Sequence, residues 1–182
     1  GVASIVVSDV ESARDSVDQI LAFLPDSTDE LPEQFPTSDS RDRQTPEAGE
    51  LIPESSTGSY DVRHVIESIV DDGDYLELKP RWAANVVTAF ATMGGRTVGI
   101  VANQPMVLAG TLDIPASQKA ARFVTLCDAF NISIITLVDT PGFYPGKDLE
   151  WRGMIRHGAQ MAFAYARATV PRVNVTLRKS YG

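Results

Sequence analysis

The apolar positions of this chain change period several times, and each change marks an element. Residues 1–7, "GVASIVV", read as a short strand or the tail of one. From Ser8 the period lengthens. Ala13, Val17, Ile20, Leu21 and Leu24 recur at helical intervals, Ser8 and Glu11 have capping-box spacing, and Pro25 stops the run. The pattern then vanishes until "YDVRHVIESIVDDGD", a second amphipathic helix with Asp61 as N-cap and Val62, Val65, Ile66, Ile69 and Val70 on one side. "YLEL" is a short strand. "NVVTAFATM" and "RTVGIVAN", joined by Gly94-Gly95, form a hairpin. Pro115 and Ser117 open a helix whose stripe includes Ala120, Phe123, Val124 and Cys127. "ISIITLVD" is a buried strand, "DLEWRGMIRHGAQMAFAYARATV" one long helix ended by Pro171, and "RVNVTLRKS" a last strand.

From residue 98 the order is therefore β-α-β-α-β. Near-continuous apolar strands alternating with helices predict a parallel sheet with right-handed crossovers, whose chemistry sits at the carboxyl ends of the strands. That places "ANQP" (102–105), "DTPG" (139–142) and the chain after "RKSYG" at one edge. The chain opens without Met and stops on a strand-like run. An unfinished sheet leaves backbone groups unpaired, so a piece of a longer polypeptide is expected.

Composition sharpens this picture at one place. Residues 25–61 hold five of the eleven prolines and ten acidic residues against only Arg41 and Arg43. Such a stretch builds no core of its own; it is a solvated connector or a long surface excursion, with a binding role as the alternative. The net charge of −8 argues against a nucleic-acid surface. The single Cys127 precludes an internal disulfide and fits a reducing compartment. No run approaches the roughly 18 apolar residues of a membrane span, and no signal peptide is legible. A soluble, cytoplasmic protein is expected.

The candidate chemistry centres on "IITLVDTPGFYPGKD". A strand ending in Asp139-Thr140-Pro141-Gly142 has the form of a GTPase nucleotide-sensing loop, and Gly146-Lys147 hints at a phosphate cradle. A P-loop, however, needs four residues between its glycines and a Ser or Thr after the Lys. Here three residues separate Gly142 from Gly146, Asp148 follows Lys147, the pair lies on the wrong side of the Asp-x-x-Gly, and no guanine-reading motif exists. His64 and His157 lie on helices without metal-ligand spacing, and Cys127 lies on an apolar stripe. Asp139 is either a general base or a loop-ordering acceptor. What remains is glycine: Gly110, Gly142, Gly146, Gly153, Gly158 and Gly182 are either turn residues or points where backbone N–H groups form oxyanion holes.

From Tyr60 to Gly182 the chain resembles the carboxyltransferase β subunits of biotin-dependent acyl-CoA carboxylases of the propionyl-CoA carboxylase type. The resemblance rests on "YDVRHVIESIVDDGDYLEL", "RTVGIVANQP", "GTLDIPASQKAARFVTLCDAFNI", "LVDTPGFYPGKDLEWRGMIRHGAQMAFAYARATVP" and "VTLRKSYG", in the family's order. It implies an α/β, crotonase-like fold of repeated β-β-α units, here incomplete. Residues 1–24 would be the tail of an N-terminal domain, 25–59 the Pro/acidic linker, and 60–182 a partial C-terminal domain.

The implied reaction moves a carboxyl group from carboxybiotin to the α-carbon of an acetyl-, propionyl- or longer acyl-CoA. Backbone N–H groups then stabilise both oxyanions, and biotin takes the α-proton. The resemblance places the biotin-side Gly-Ala pair just after Gly182, with Gly182 as its approach. It makes Asn103, Gln104, Pro105, Gly110, Pro141, Gly142 and Phe143 candidates for lining the biotin pocket. Implied partners are an α subunit with biotin carboxylase and biotin carrier, where ATP is used, and further β subunits in a hexamer. No metal, nucleic acid or membrane is implied, and the compartment is the cytoplasm or, in a eukaryote, the mitochondrial matrix. This chain alone is expected to be inactive. A non-catalytic scaffold of the same fold is the alternative, and a GTP switch a remote one.

Overall fold

The computed structural model describes residues 1–40 and 42–181. One mixed sheet carries the fold, with strand order β1 (Tyr75–Leu78), β2 (Val86–Met93), β3 (Arg96–Asn103), β4 (Ser133–Thr140), β5 (Arg172–Ser180). The first three strands are antiparallel and the last three parallel. The hairpin turn is where the sequence places it. Gly94 (φ 58°) and Gly95 (φ 74°) take the left-handed conformations a tight hairpin demands. The buried Asp71 carboxylate accepts both their N–H groups, at 2.9 and 2.7 Å.

Strand alternation divides the core in two. Val86 and Phe90 face one side of the sheet, while Val87, Ala89 and Ala91 face the other. On the first side lie α4 (Ile114–Ala129) and α6 (Met154–Arg167), the two crossovers; on the second lies α3 (Val62–Ile69). Gly99 lets α4 come close, because a Cβ there would run into the Cys127 thiol and the Phe123 ring. Each fully buried Val or Ile, such as Val65 and Ile66, contributes about 1.5–3 kcal/mol. Helix starts follow their acidic caps: Asp61 accepts from Arg63 N at 2.9 Å and Asp113 from Ala116 N at 3.0 Å.

Several expectations change. Residues 1–7 form no strand; they lie along the surface, with Lys79 N bonded to Ser4 O at 2.7 Å. Helix α1 (Val10–Phe23) is capped by Asp9, whose carboxylate accepts Ser12 N at 2.8 Å, rather than by a Ser8–Glu11 box. A charged acceptor at the helix start outcompetes a hydroxyl one residue earlier. The long helix foreseen over 148–170 is two helices. Gly153 at φ 86° breaks it into α5 (Lys147–Trp151) and α6.

The acidic stretch is a surface excursion that packs. Phe35 N bonds Gly95 O at 2.7 Å, Arg43 caps α3 through the carbonyls of Ser68 and Val70, and Ala48 and Ile52 cover apolar core. It includes a short helix α2 (Pro46–Glu50). Arg41 lies outside the described residues. His64 does have a carboxylate beside it, Glu67 at 3.0 Å, in an exposed pair one helical turn apart. Among the described residues, no helix is long and apolar enough to cross a membrane.

Candidate functional site

The parallel strands bring Asn103, Thr140 and Ser180 to one edge of the sheet. Asn103 is buried and spans the gap between two loops. Its Nδ2 donates to Gly110 O at 3.1 Å and its Oδ1 accepts Asp139 N at 3.3 Å. The turn it holds is strained. Leu108, Ala109 and Gly110 all have positive φ, of 50°, 53° and 74°. Only glycine fits the last position, since a Cβ on Gly110 would lie 2.5 Å from Asp139 O.

The loop after β4 crosses this turn. Leu112 N donates to Gly142 O at 3.0 Å, and Tyr144 N to Leu112 O at 2.9 Å. Thr140 Oγ1 accepts Gly142 N at 3.1 Å, and Gly142 sits at φ 114°. Pro141 is exposed, and Phe143 is 54 % exposed although its ring edge rests on Gly158 of α6.

Asn103, Gly110, Pro141, Gly142 and Phe143 therefore belong to one connected pair of loops, with Pro141 and Phe143 exposed and Asn103, Gly110 and Gly142 buried. Gln104 and Pro105 are buried beneath it. Gln104 spends its side chain on the start of α3, donating to Asp61 Oδ1 at 2.6 Å and accepting Val62 N at 3.4 Å. Gly182 lies outside the described residues.

The largest feature of this edge was not legible in sequence. Asp139 is fully buried and is the hub of a charged cluster. Its Oδ2 accepts Tyr60 Oη at 2.8 Å and Arg178 Nε at 3.1 Å, and its Oδ1 accepts Lys179 N at 3.3 Å. Arg178 Nη2 stands 3.1 Å from Oδ2 without hydrogen-bond alignment, a charge contact only. Burial, with the Asp139 carboxylate beside it, pushes the Tyr60 hydroxyl far above the ordinary phenol range. Of the two roles the sequence left open for Asp139, the geometry selects the acceptor: a carboxylate so enclosed reaches no substrate.

The cluster extends outward, for Arg178 Nη1 donates to Ser55 O at 2.6 Å and Gly58 O at 2.9 Å, and Lys179 Nζ to Ser56 O at 3.2 Å. An Arg-Lys pair ending a strand whose neighbour ends in Asp was the available signal. No group of His, Cys, Asp and Glu among the described residues could hold a metal ion.

Residues 1–182 match the family model "Carboxyl transferase domain" throughout. The chain belongs to the carboxyl transferase domain family. It is 51 % identical over 178 residues to the methylmalonyl-CoA carboxyltransferase 12S subunit of Propionibacterium freudenreichii subsp. shermanii, covering 97 % of this chain and 34 % of that protein. It is 45 % identical over 182 residues to the methylmalonyl-CoA decarboxylase subunit alpha of Veillonella parvula, covering all of this chain and 36 % of that protein. The mitochondrial propionyl-CoA carboxylase beta chain of Sus scrofa is 46 % identical over 182 residues, again all of this chain and 34 % of that one. The chain thus spans about a third of the length of these relatives.

The transcarboxylase 12S crystal structure, a hexamer with hydrolysed methylmalonyl-coenzyme A bound, superposes with a TM-score of 0.95 at 49 % identity over 98 % of this chain and 35 % of its own. The carboxyl transferase fold is accordingly crotonase-like, as the resemblance implied. "ANQP", "DTPGF" and "RKSY", remote in sequence, meet at the strand ends of this carboxyl transferase domain.

Proposed function

We propose that this domain forms part of the carboxyltransferase component of a biotin-dependent acyl-CoA carboxylase, moving a carboxyl group between carboxybiotin and the α-carbon of an acyl-CoA. One observation carries the reading: the surface at the strand ends is built from strained backbone and small or apolar side chains, with Asp139 and its partner Arg178 turned inward. Such a surface presents no side-chain base among its described residues. Its Gly110 and Gly142 N–H groups are spent on Val107 O and Thr140 Oγ1, so the oxyanion donors of this reading are those expected after Gly182. Its residues fit a flat, amide-like ring. Phe143 and Pro141 are exposed apolar walls, and the Gly110 and Gly142 backbone allows close approach. When bound, carboxybiotin supplies the carboxyl group and, after releasing it, a nitrogen base for the α-proton.

In this reading Asn103, Gly110, Pro141, Gly142 and Phe143 line the biotin side, Gln104 and Pro105 support it from below, and Gly182 leads to the backbone donors expected after it. Propionyl-CoA and methylmalonyl-CoA are the substrates to try first, because relatives are named for both. The decarboxylase among them is named for removing the carboxyl group of methylmalonyl-CoA, which fits a transfer that also runs away from the acyl-CoA. The partner is an α subunit carrying biotin and consuming ATP, and the assembly a hexamer like the transcarboxylase core. Buried Cys127 suits a cytoplasmic or matrix setting.

The test is a panel of acyl-CoA substrates given to the complete subunit with its biotin-bearing partner. Bicarbonate-dependent carboxylation of propionyl-CoA is expected, and none by the 182-residue chain alone. A complete complex that carboxylates no acyl-CoA and removes carboxyl from none would overturn the proposal in favour of a scaffold.

A further inference from the structure

The β4–β5 ladder breaks at one place. Val138 pairs with Thr176 and Thr140 with Ser180, so Asp139 alone stands opposite Leu177, Arg178 and Lys179. Strand β5 therefore bulges at the edge of the sheet where the candidate site lies. A bulge frees backbone N–H groups and bends the strand that carries it. Here the Asp139 side chain replaces the missing ladder bond by accepting Lys179 N at 3.3 Å. The same carboxylate neutralises Arg178, which would otherwise be a buried cation with a side chain only 10 % exposed. Beyond the bulge, pairing resumes through Tyr181 N to Thr140 O at 3.2 Å.

We propose that Asp139 is a positioning residue for carboxyl transfer: it holds the β5 bulge that aims the Ser180–Tyr181 backbone at the biotin side of the site. Arg178 is its lever. Through Nη1 it ties the same carboxylate to the carbonyls of Ser55 and Gly58, so the 55–58 loop is fastened to the strand end. Asp139 touches no reacting atom. Its effect passes through the direction of the chain at Tyr181. A displacement of about 1 Å in such a backbone costs on the order of a hundredfold in rate.

The inference rests on the carboxyl-transfer reading above, and its test separates the two. Asp139→Asn keeps the shape of the side chain but removes the charge and presents an amide to Arg178. In the complete subunit with its biotin-bearing partner, kcat is expected to fall about a hundredfold. The KM for propionyl-CoA should stay within about twofold, because the bulge faces the biotin side. Amide exchange at residues 178–181 should accelerate. A merely structural residue would lower the fraction of folded enzyme and leave kcat per folded site unchanged.

Arg178→Lys is the second variant, for the case in which Asp139→Asn does not fold. It keeps a charge for Asp139 but loses the fork to Ser55 and Gly58, and kcat about tenfold down with the same KM split is expected. Wild type active with Asp139→Asn (or, if that does not fold, Arg178→Lys) within threefold of it in kcat, or with exchange at 178–181 unchanged, overturns the inference and leaves the functional reading standing. No transfer by wild type overturns the functional reading and Asp139's catalytic part with it.

Discussion

Gly110→Ala isolates the close approach on which the candidate site is built. Two costs are separable there. Any side chain at φ 74° lies in the left-handed region, which costs about 1–2 kcal/mol. The new Cβ would also stand 2.5 Å from Asp139 O, a backbone atom fixed at the end of a central strand. Relieving that contact requires shifting β4 or the 108–110 turn, and overpacking of this kind costs about 1–3 kcal/mol more. Gly73 supplies the control. Its φ of 72° is nearly the same, but the nearest atom to a Cβ is Glu67 O at 3.4 Å. Both substitutions lose similar freedom from the unfolded chain, so that contribution cancels in the comparison. Gly110→Ala should therefore be less stable than Gly73→Ala by about 1–3 kcal/mol, roughly 2–12 °C in melting temperature for a domain of this size. Paired thermal melts in one buffer decide it. Equal melting temperatures would refute the close approach of the 108–110 turn to β4 and, with it, the packing assigned to the site.

Asp128→Ala should cost about 1–3 kcal/mol, because one carboxylate oxygen holds Thr169 N at 2.6 Å and Val170 N at 3.3 Å at the entry to β5. Burial raises the Asp128 pKa, but these N–H donors outweigh it and hold the group below the ordinary carboxylate range. Its contribution is therefore present above the unfolded value and lost as pH falls through the lower folded one. Denaturant melts should show wild type and variant converging on acidification below about pH 4; a gap that persists undiminished at low pH would sink the assignment. Burial, and then the charge of Asp128, pushes the Cys127 thiol up to about 12. Native protein at pH 8 should resist iodoacetamide and react once denatured, with the intact mass as readout. Lys119→Met should destabilise by about 1–3 kcal/mol, since Nζ donates to Val86 O at 2.7 Å and shares Lys79 O, at 3.0 Å, with Trp82 N in a buried setting; a change below about 0.5 kcal/mol would mean that water replaces it there.

Strands and crossovers were legible because apolar period and caps agree along most of the chain. Phe90 and Val86 against Val87 and Ala89 state the two faces of β2 outright, and Gly94-Gly95 states the turn. The failures have physical reasons. Gly153 reads as tolerated inside a helix, yet its left-handed conformation ends one helix and starts another. The Pro/acidic stretch has too few apolar residues to build a core, and composition alone does not show that Phe35, Arg43 and Ile52 attach it to an existing one. The hub at Asp139 needed Tyr60 and Arg178, 79 and 39 residues away. No local pattern carries a contact at that separation.

The same separation explains why the site looked empty of chemistry. A site made from side-chain catalysts leaves residue types at recognisable spacings. A site made from backbone leaves only what backbone geometry requires: glycine where φ is positive, small or rigid residues where a ring must approach, and buried charge to hold the strand ends. In the proposed reading Gly110 and Gly142 supply the first, Pro141 the second, and Asp139 with Arg178 the third. "DTPG" matches a nucleotide switch because both sites need an acid at a strand end followed by a glycine turn. They differ in where the acid points. In a switch it faces a metal ion and phosphate; here it faces Tyr60, Arg178 and the Lys179 amide, inside the protein. Only the neighbouring strand decides between the two, and β5 brings an arginine.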